Sequence, residues 1–287
     1  MAIKTILAIF RAACYSPGMV DRDEAILRAV AERLEKRGYA VNLVHEEDFT
    51  ANTPMPDIVL HMARSSRALD ILQTWQGRGC RVINTAEGVR NVERATLAKL
   101  CAAQGIPTPK TWIIGTAHSN NLTAHTTEGN NEPVTFPCWI KRTGTCAQQA
   151  DDVHRVNDAE EYRQCLSRFH KRGIAEVVIM EHIEGTCIKF YAVKGTNFIY
   201  SLPSTALGYD KFSSKPAEKV EEYTTWHTEE ISFPFTSLDF QLDVYGGDLI
   251  IGHDGVARLI DLNDWPSFSA CRSEAADAIA ELVISRP

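Results

Sequence analysis

Over the first 90 residues, apolar and polar positions switch repeatedly between a strand period and a helix period. The run KTILAIF at 4–10 is apolar after its first residue and predicts a buried strand. Beyond it, Ile26, Leu27, Val30 and Leu34 recur on one helical face. Asp21 and Glu24 are spaced as a capping box at the start of that helix, and Gly38 ends it. AVNLV (40–44) and DIVLHM (57–62) predict two further strands. A second helix starts near Ser65 or Ser66, turns Leu69, Leu72 and Trp75 inward, and stops at Gly77 and Gly79. RVINT closes the series. Strands separated by helices of this size predict a parallel sheet covered on both faces, a Rossmann-like α/β domain without a G-x-G-x-x-G loop.

The pattern changes after residue 90. Residues Asn91 to Gln104 predict a helix carrying Leu97, Leu100 and Cys101 on one face, stopped by Gly105, Pro107 and Pro109. TWIIG, PCWIK, EVVIMEHIEG and CIKFYAVKG read as strands, and FIYSLPS as a hairpin return. NDAEEYRQCLSRFHKRG is an amphipathic helix ended by Gly173. The polar stretch from Thr116 to Thr135 reads as an excursion, and 205–236 as a long loop or lid. GGDLIIGHDGVARLIDLND predicts a hairpin, and a last helix starts near Ser273. The expected organisation is a domain over 1–90 and a second, α+β, over 91–287, the latter with subdomains near 91–183 and 184–287.

Composition narrows the class. With 44% apolar and 23% charged residues the chain reads as an ordinary globular protein, and a net charge of −7 argues against an extended nucleic-acid partner. No apolar run approaches the roughly 20 residues of a membrane span. The N-terminal apolar run is followed at once by Asp21, Asp23 and Glu24, which reads as a first strand rather than a signal peptide. Eight scattered cysteines without C-x-x-C spacing suit reduced thiols in a cytoplasmic protein, and nine histidines without an i, i+4 pair give no transition-metal signature.

Candidate chemistry concentrates near the end. A two-residue turn at Asp254-Gly255 would set Asp248 directly opposite Asp261, with Asn263 on the same face. Like charges across a strand pair repel unless neutralised, and Mg²⁺ held by one or two carboxylates plus substrate phosphates would do so. The same aspartates also read as solvated strand-end residues. Lys141 ends a strand beside Arg142-Thr143-Gly144-Thr145, where it could meet phosphate as a point charge or simply reach solvent. Glu184 could accept from ribose hydroxyls; His182 offers a backbone edge to a base, or is a half-buried strand residue. An inward-facing Lys189 would need phosphate or carboxylate beside it.

Taken in order, the helix, GIPTP, the strand-end Lys141, M-E-H-I-E-G, the strand Lys189 and D…D-x-N resemble the ATP-grasp superfamily. The similarity is greatest to its glutathione-synthetase-like branch, which includes peptide-tail glutamate ligases. The resemblance implies an N-terminal Rossmann-like, pre-ATP-grasp domain followed by an ATP-grasp domain of two subdomains. It also implies ATP and Mg²⁺ (or Mn²⁺) as cofactors. Lys141 and Lys189 would meet the phosphates, Glu181, His182 and Ile183 would line the adenine pocket, and Glu184 would hold ribose. Asp248, Asp261 and Asn263 would hold the metal. Asn263-Asp264-Trp265-Pro266-Ser267 is similar to the superfamily's Asn-x-x-Pro-Gly loop. Arg94 stands eleven residues before Gly105, where the superfamily usually has a lysine, and the segment after Lys141 is poor in glycine. The implied reaction joins a small-molecule or peptide carboxylate to an amine or thiol through an acyl phosphate. Arg11, Arg64 and Arg272 are candidate acceptor groups, and neither nucleic acid nor membrane is expected as a partner. A homo-oligomer stays open. Asp261-x-Asn263 in place of Glu-x-Asn also occurs in the inositol-polyphosphate kinase branch of the fold. That keeps a small-molecule kinase as the alternative, with a non-catalytic nucleotide-binding module as the third reading.

Overall fold

A computed structural model of the chain describes residues 4–118, 121–144, 147–204 and 239–285, so the expected lid over 205–236 lies outside the described residues. The chain divides into two compact units: Met1–Asn91, Lys189–Gly247 and Asn263–Pro287 form the first, Val92–Ile188 and Asp248–Leu262 the second.

In the first unit, β1 (Thr5–Phe10) is central in a parallel sheet with β2 (Ala40–His45), β3 (Ile58–His61) and β4 (Arg81–Ile83), in the order β2-β1-β3-β4. A strand buried on both faces needs apolar residues throughout, and β1 has them. Alternation sends Ile6, Ala8 and Phe10 into a core with Ile26, Leu27 and Val30 of α1 (Val20–Glu35). Leu7 and Ile9 pack into another with Leu69, Leu72 and Trp75 of α2 (Ser66–Gly77). Ser65 caps α2 by accepting from the Ala68 amide at 3.3 Å.

Two local expectations change. α1 begins at Val20 with Met19 as its N-cap and no side-chain cap. The capping box of Asp21 and Glu24 therefore does not form, and the nearby Asp23 is drawn inward by Arg11, at 2.9 Å, and by the Ser16 hydroxyl. The single helix expected over 91–104 is α3 (Ala86–Asn91) followed by α4 (Arg94–Gln104), which Gly105 ends at φ 65°. The break coincides with an outside anchor on each segment: Asn91 donates to the Phe240 carbonyl within the first unit, and the Arg94 amide to the Thr143 carbonyl within the second.

The second unit holds an antiparallel sheet of β5 (Thr111–Gly115), β10 (Glu176–Glu181), β8 (Cys138–Arg142) and β9 (Val153–Val156), in that order. The strand β9 was not expected from the sequence. Tyr162, Cys165, Leu166 and Phe169 of α5 (Ala159–Lys171) cover one face. The polar excursion after β5 contains a small hairpin, β6 (Thr123–His125) with β7 (Asn131–Pro133). A third sheet takes the order β12-β11-β13-β14, from β11 (Gly185–Val193), β12 (Ile199–Pro203), β13 (Val244–Gly252) and β14 (Ala257–Asp264). The last helix, α6, runs from Arg272 to Ser285. Among the described residues no helix is long and apolar enough to cross a membrane, and Cys14, Cys80, Cys101, Cys138, Cys165, Cys187 and Cys271 are free thiols.

Asp264, at the end of β14, is completely buried and is met by Arg64 at 2.5 Å and Arg11 at 3.4 Å, all within the first unit. Burial alone would raise its pKa, but Arg64, then Arg11, outweigh it and hold the carboxyl below its ordinary value. A depressed carboxylate stabilises the fold above its unfolded pKa and loses that contribution as pH falls through the folded one. Asp264→Asn would leave two buried guanidinium groups short of their anion, and is expected to cost about 3 kcal/mol or more at neutral pH. Urea unfolding of both proteins from pH 7 to 3 should show the gap narrowing with acidification; a constant gap would contradict this role.

Candidate active site

Alternation along β8 sends Cys138 and Ile140 into the core under α5, so Trp139 and Lys141 face the other side of the sheet. On the neighbouring β10, Val177 and Ile179 join the same core and leave Val178 and Met180 beside Lys141. Lys141 is only 9% exposed. Its Nζ donates to the Ile260 carbonyl at 3.0 Å and lies 3.8 Å from the Met180 sulfur. Burial pushes its pKa down, Asp261 and Asp248 pull it back up, and Arg94 adds to the lowering.

Asp248 and Asp261 thus share the electrostatic neighbourhood of Lys141, although the expected turn is not the one found. Gly252 donates to the Val256 carbonyl at 3.2 Å and Gly255 to the Gly252 carbonyl at 2.9 Å, with Gly255 at φ 74°. The turn therefore has three residues, His253-Asp254-Gly255, and a glycine in the left-handed region, as in a bulged hairpin. That turn shifts the pairing by one residue. The burial of β14 then changes phase: Ala257 and Leu259 are buried, then Leu262 and Asp264, with Ile260 and Asp261 both half-buried between them. Toward the other end of the pair the Trp265 amide donates to the Val244 carbonyl at 3.2 Å, one residue out of step with Gly252 and Val256. Arg258 secures the turn by gripping Asp254 with two nitrogens at 2.6 and 3.0 Å, which lowers the Asp254 pKa to about 2.

A pocket of about 560 Å³ opens on this side of the second unit. Its wall is Trp139 and Lys141 from β8, Met180 and Glu181 from β10, the chain from His182 to Gly185, and Ile250 and Ile260. It thus gathers Lys141, Glu181, His182, Ile183 and Glu184 around a largely apolar slot of the size and make-up that suits a nucleobase. The amide of Glu181 donates to the Lys110 carbonyl and that of His182 to the Pro137 carbonyl, so neither is the donor to a base edge. The His182 ring accepts from the Trp139 indole at 3.0 Å, which fixes Nδ1 as the acceptor and puts the ring proton of the neutral form on Nε2.

Arg94 lies on the same unit, with Nη2 3.4 Å from Asp261 and Nη1 3.1 Å from the Arg142 carbonyl. The remaining expected residues belong to the first unit. Lys189 is half-buried on β11, Asn263 lies two residues beyond Asp261 on β14, and Arg272 opens α6. The Nε of Arg272 is buried without a hydrogen-bond partner among the described residues. Of the arginines considered for an acceptor, Arg11 is ion-paired with Asp23 and Asp264, and Arg64 with Asp264. Among the described residues no three His, Cys, Asp or Glu side chains are grouped to hold a metal ion. Asp248 and Asp261 are nevertheless hard oxygen donors of the kind that Mg²⁺ takes together with phosphates.

Three contributors had no signal in the sequence. The Trp139–His182 bond needs the register of β8 on β10. Asp152, completely buried, accepts from the amides of Gln148 and Gln149 and from Arg172. The pairing of Arg94 with Asp261 spans 167 positions of the chain.

No protein-family model and no curated protein sequence matches the chain. Solved structures do. D-alanine–D-alanine ligase from Bacillus anthracis complexed with ATP superposes with a TM-score of 0.66 at 16% identity, covering 98% of this chain and 97% of that one. The ATP-grasp ligase PsnB complexed with a minimal precursor gives 0.64 at 15% identity over 100% of both chains. A RimK domain protein of the ATP-grasp type from Sphaerobacter thermophilus DSM 20745 gives 0.61 at 17% identity, covering 97% and 99%. The chain has the ATP-grasp fold.

Lys141→Met removes a buried charge while keeping the volume of its stem. Its thermal midpoint is expected to match or exceed wild type, while affinity for ATP falls by at least about tenfold. Calorimetric titration of both proteins checks this, and unchanged ATP affinity would remove Lys141 from the nucleotide site.

Proposed function

We propose that this protein is an ATP- and Mg²⁺-dependent ligase that joins a carboxylate to an amine or thiol through an acyl phosphate. The observation that carries the reading is the buried Lys141, within electrostatic reach of Asp261 and Asp248 and part of the wall of a nucleobase-sized pocket, in a chain with the ATP-grasp fold.

The base would enter between Trp139 and Ile250, with Glu181 accepting from an exocyclic amine and Glu184 from ribose. Lys141, desolvated and fixed to the Ile260 carbonyl, would present its ammonium to the phosphates without reorganising, as electrostatic preorganisation requires. The resemblance assigns Lys189 to the phosphates and Arg272 to the acceptor, and both assignments belong to this proposal. A substrate carboxylate oxygen would attack the γ-phosphorus and ADP would leave. The amine would then add to the acyl carbon, lose a proton, and expel orthophosphate. Magnesium held by Asp248, Asp261 and Asn263 would neutralise charge on the phosphates.

Asp261→Asn and Asp248→Asn are each expected to lower metal-dependent turnover by about 100-fold or more. The assay is incubation with ATP, Mg²⁺ and a metabolite extract, with products identified by mass spectrometry. Condensed product with ADP and free phosphate supports the ligase. A phosphorylated product without free phosphate would replace it by a kinase, and full activity of Asp261→Asn would remove the metal assignment.

A further inference from the structure

Arg94 is held in a way that an ordinary phosphate-binding residue is not. Its amide donates to the Thr143 carbonyl at 3.2 Å, Nη1 to the Arg142 carbonyl at 3.1 Å, and Nη2 faces Asp261 Oδ2 at 3.4 Å. The side chain is 9% exposed and its Nε is buried with no hydrogen-bond partner among the described residues. Lys141 lines the same small cavity as Arg94 and Asp261. Two buried cations, Arg94 and Lys141, therefore stand around Asp261. A divalent ion added alone would bring further positive charge against these two cations, at a high electrostatic cost. Nucleotide phosphates bring the missing negative charge. They also offer Arg94 what Asp261 leaves undone, since a phosphate can accept from Nε and Nη together in a fork.

We propose that Arg94 is an internal counter-cation of Asp261 that yields the carboxylate only when phosphates arrive, so that divalent metal binds this site tightly with nucleotide and weakly without it. The inference rests on Asp248 and Asp261 being metal ligands and adds an order of assembly to that reading. It also gives arginine a reason at this position. Its planar fork spans the Arg142 carbonyl and Asp261 at once, whereas a lysine ammonium offers a single point of charge.

The test uses Mn²⁺ alone, titrated by electron paramagnetic resonance into the full-length protein without nucleotide. Arg94→Met should bind Mn²⁺ at least about tenfold more tightly than wild type, because a full positive charge beside the carboxylate is gone. Arg94→Lys keeps a charge that cannot satisfy both partners, and should tighten binding by about two- to fivefold. If Arg94→Met fails to fold, the direction of the lysine variant decides. Unchanged or weaker Mn²⁺ binding in a folded Arg94 variant overturns the inference and leaves the ligase reading in place. Mn²⁺ binding that survives unaltered in Asp261→Asn, with or without a non-hydrolysable ATP analogue, overturns the metal reading itself.

Discussion

A lysine ammonium costs a great deal to bury unless an anion or phosphate stands next to it, and Lys141 imposes that condition on its whole surroundings. β8 carries it to the face of its sheet opposite the core that holds Cys138 and Ile140. Once there, it requires acceptors. The Ile260 carbonyl supplies one, and Asp261 and Asp248 supply the compensating charge. Arg94 adds a second cation beside Asp261, at 3.4 Å. The anchoring of α4 to Thr143 holds Arg94 in the same small cavity as Lys141 and Asp261.

The first unit solves the same physical problem with the opposite sign. There a carboxylate, Asp264, is the buried centre, and Arg64 and Arg11 come to it. The residues that follow are held against their own backbone preference. Trp265 and Phe268 are fully buried at φ 36° and 48°, a region that bulky residues avoid. Such strain persists only where the surroundings over-determine it, here by aromatic burial on one side and ion pairing on the other. Arg11 and Arg64 thus both carry a structural ion pair with Asp264.

Much of this was legible in the sequence because it is written in period and spacing. The continuous apolar run of β1, the face of α1, Ser65 at the head of α2 and Gly105 at the end of α4 are local signals, each with a local cause. Glu181 to Glu184 follow a strand and do line a pocket with Lys141. What could not be read depends on distant partners. The turn at His253-Asp254-Gly255 has one residue more than Asp-Gly suggests. The capping box of Asp21 and Glu24 does not form while the nearby Asp23 pairs with Arg11, and Arg94 meets Asp261 across most of the chain. None of these choices has a short-range signature, since each is settled by which buried charge lacks a partner.

The central claim is that the phosphoryl group visits a carboxylate before it becomes free phosphate. With a competent acceptor identified, its carboxylate can be labelled with ¹⁸O and the orthophosphate examined by ³¹P NMR. The account predicts one ¹⁸O atom per orthophosphate released, carried over when the acyl phosphate is broken by the amine. Orthophosphate without label, or phosphate that remains esterified to the substrate, would contradict it.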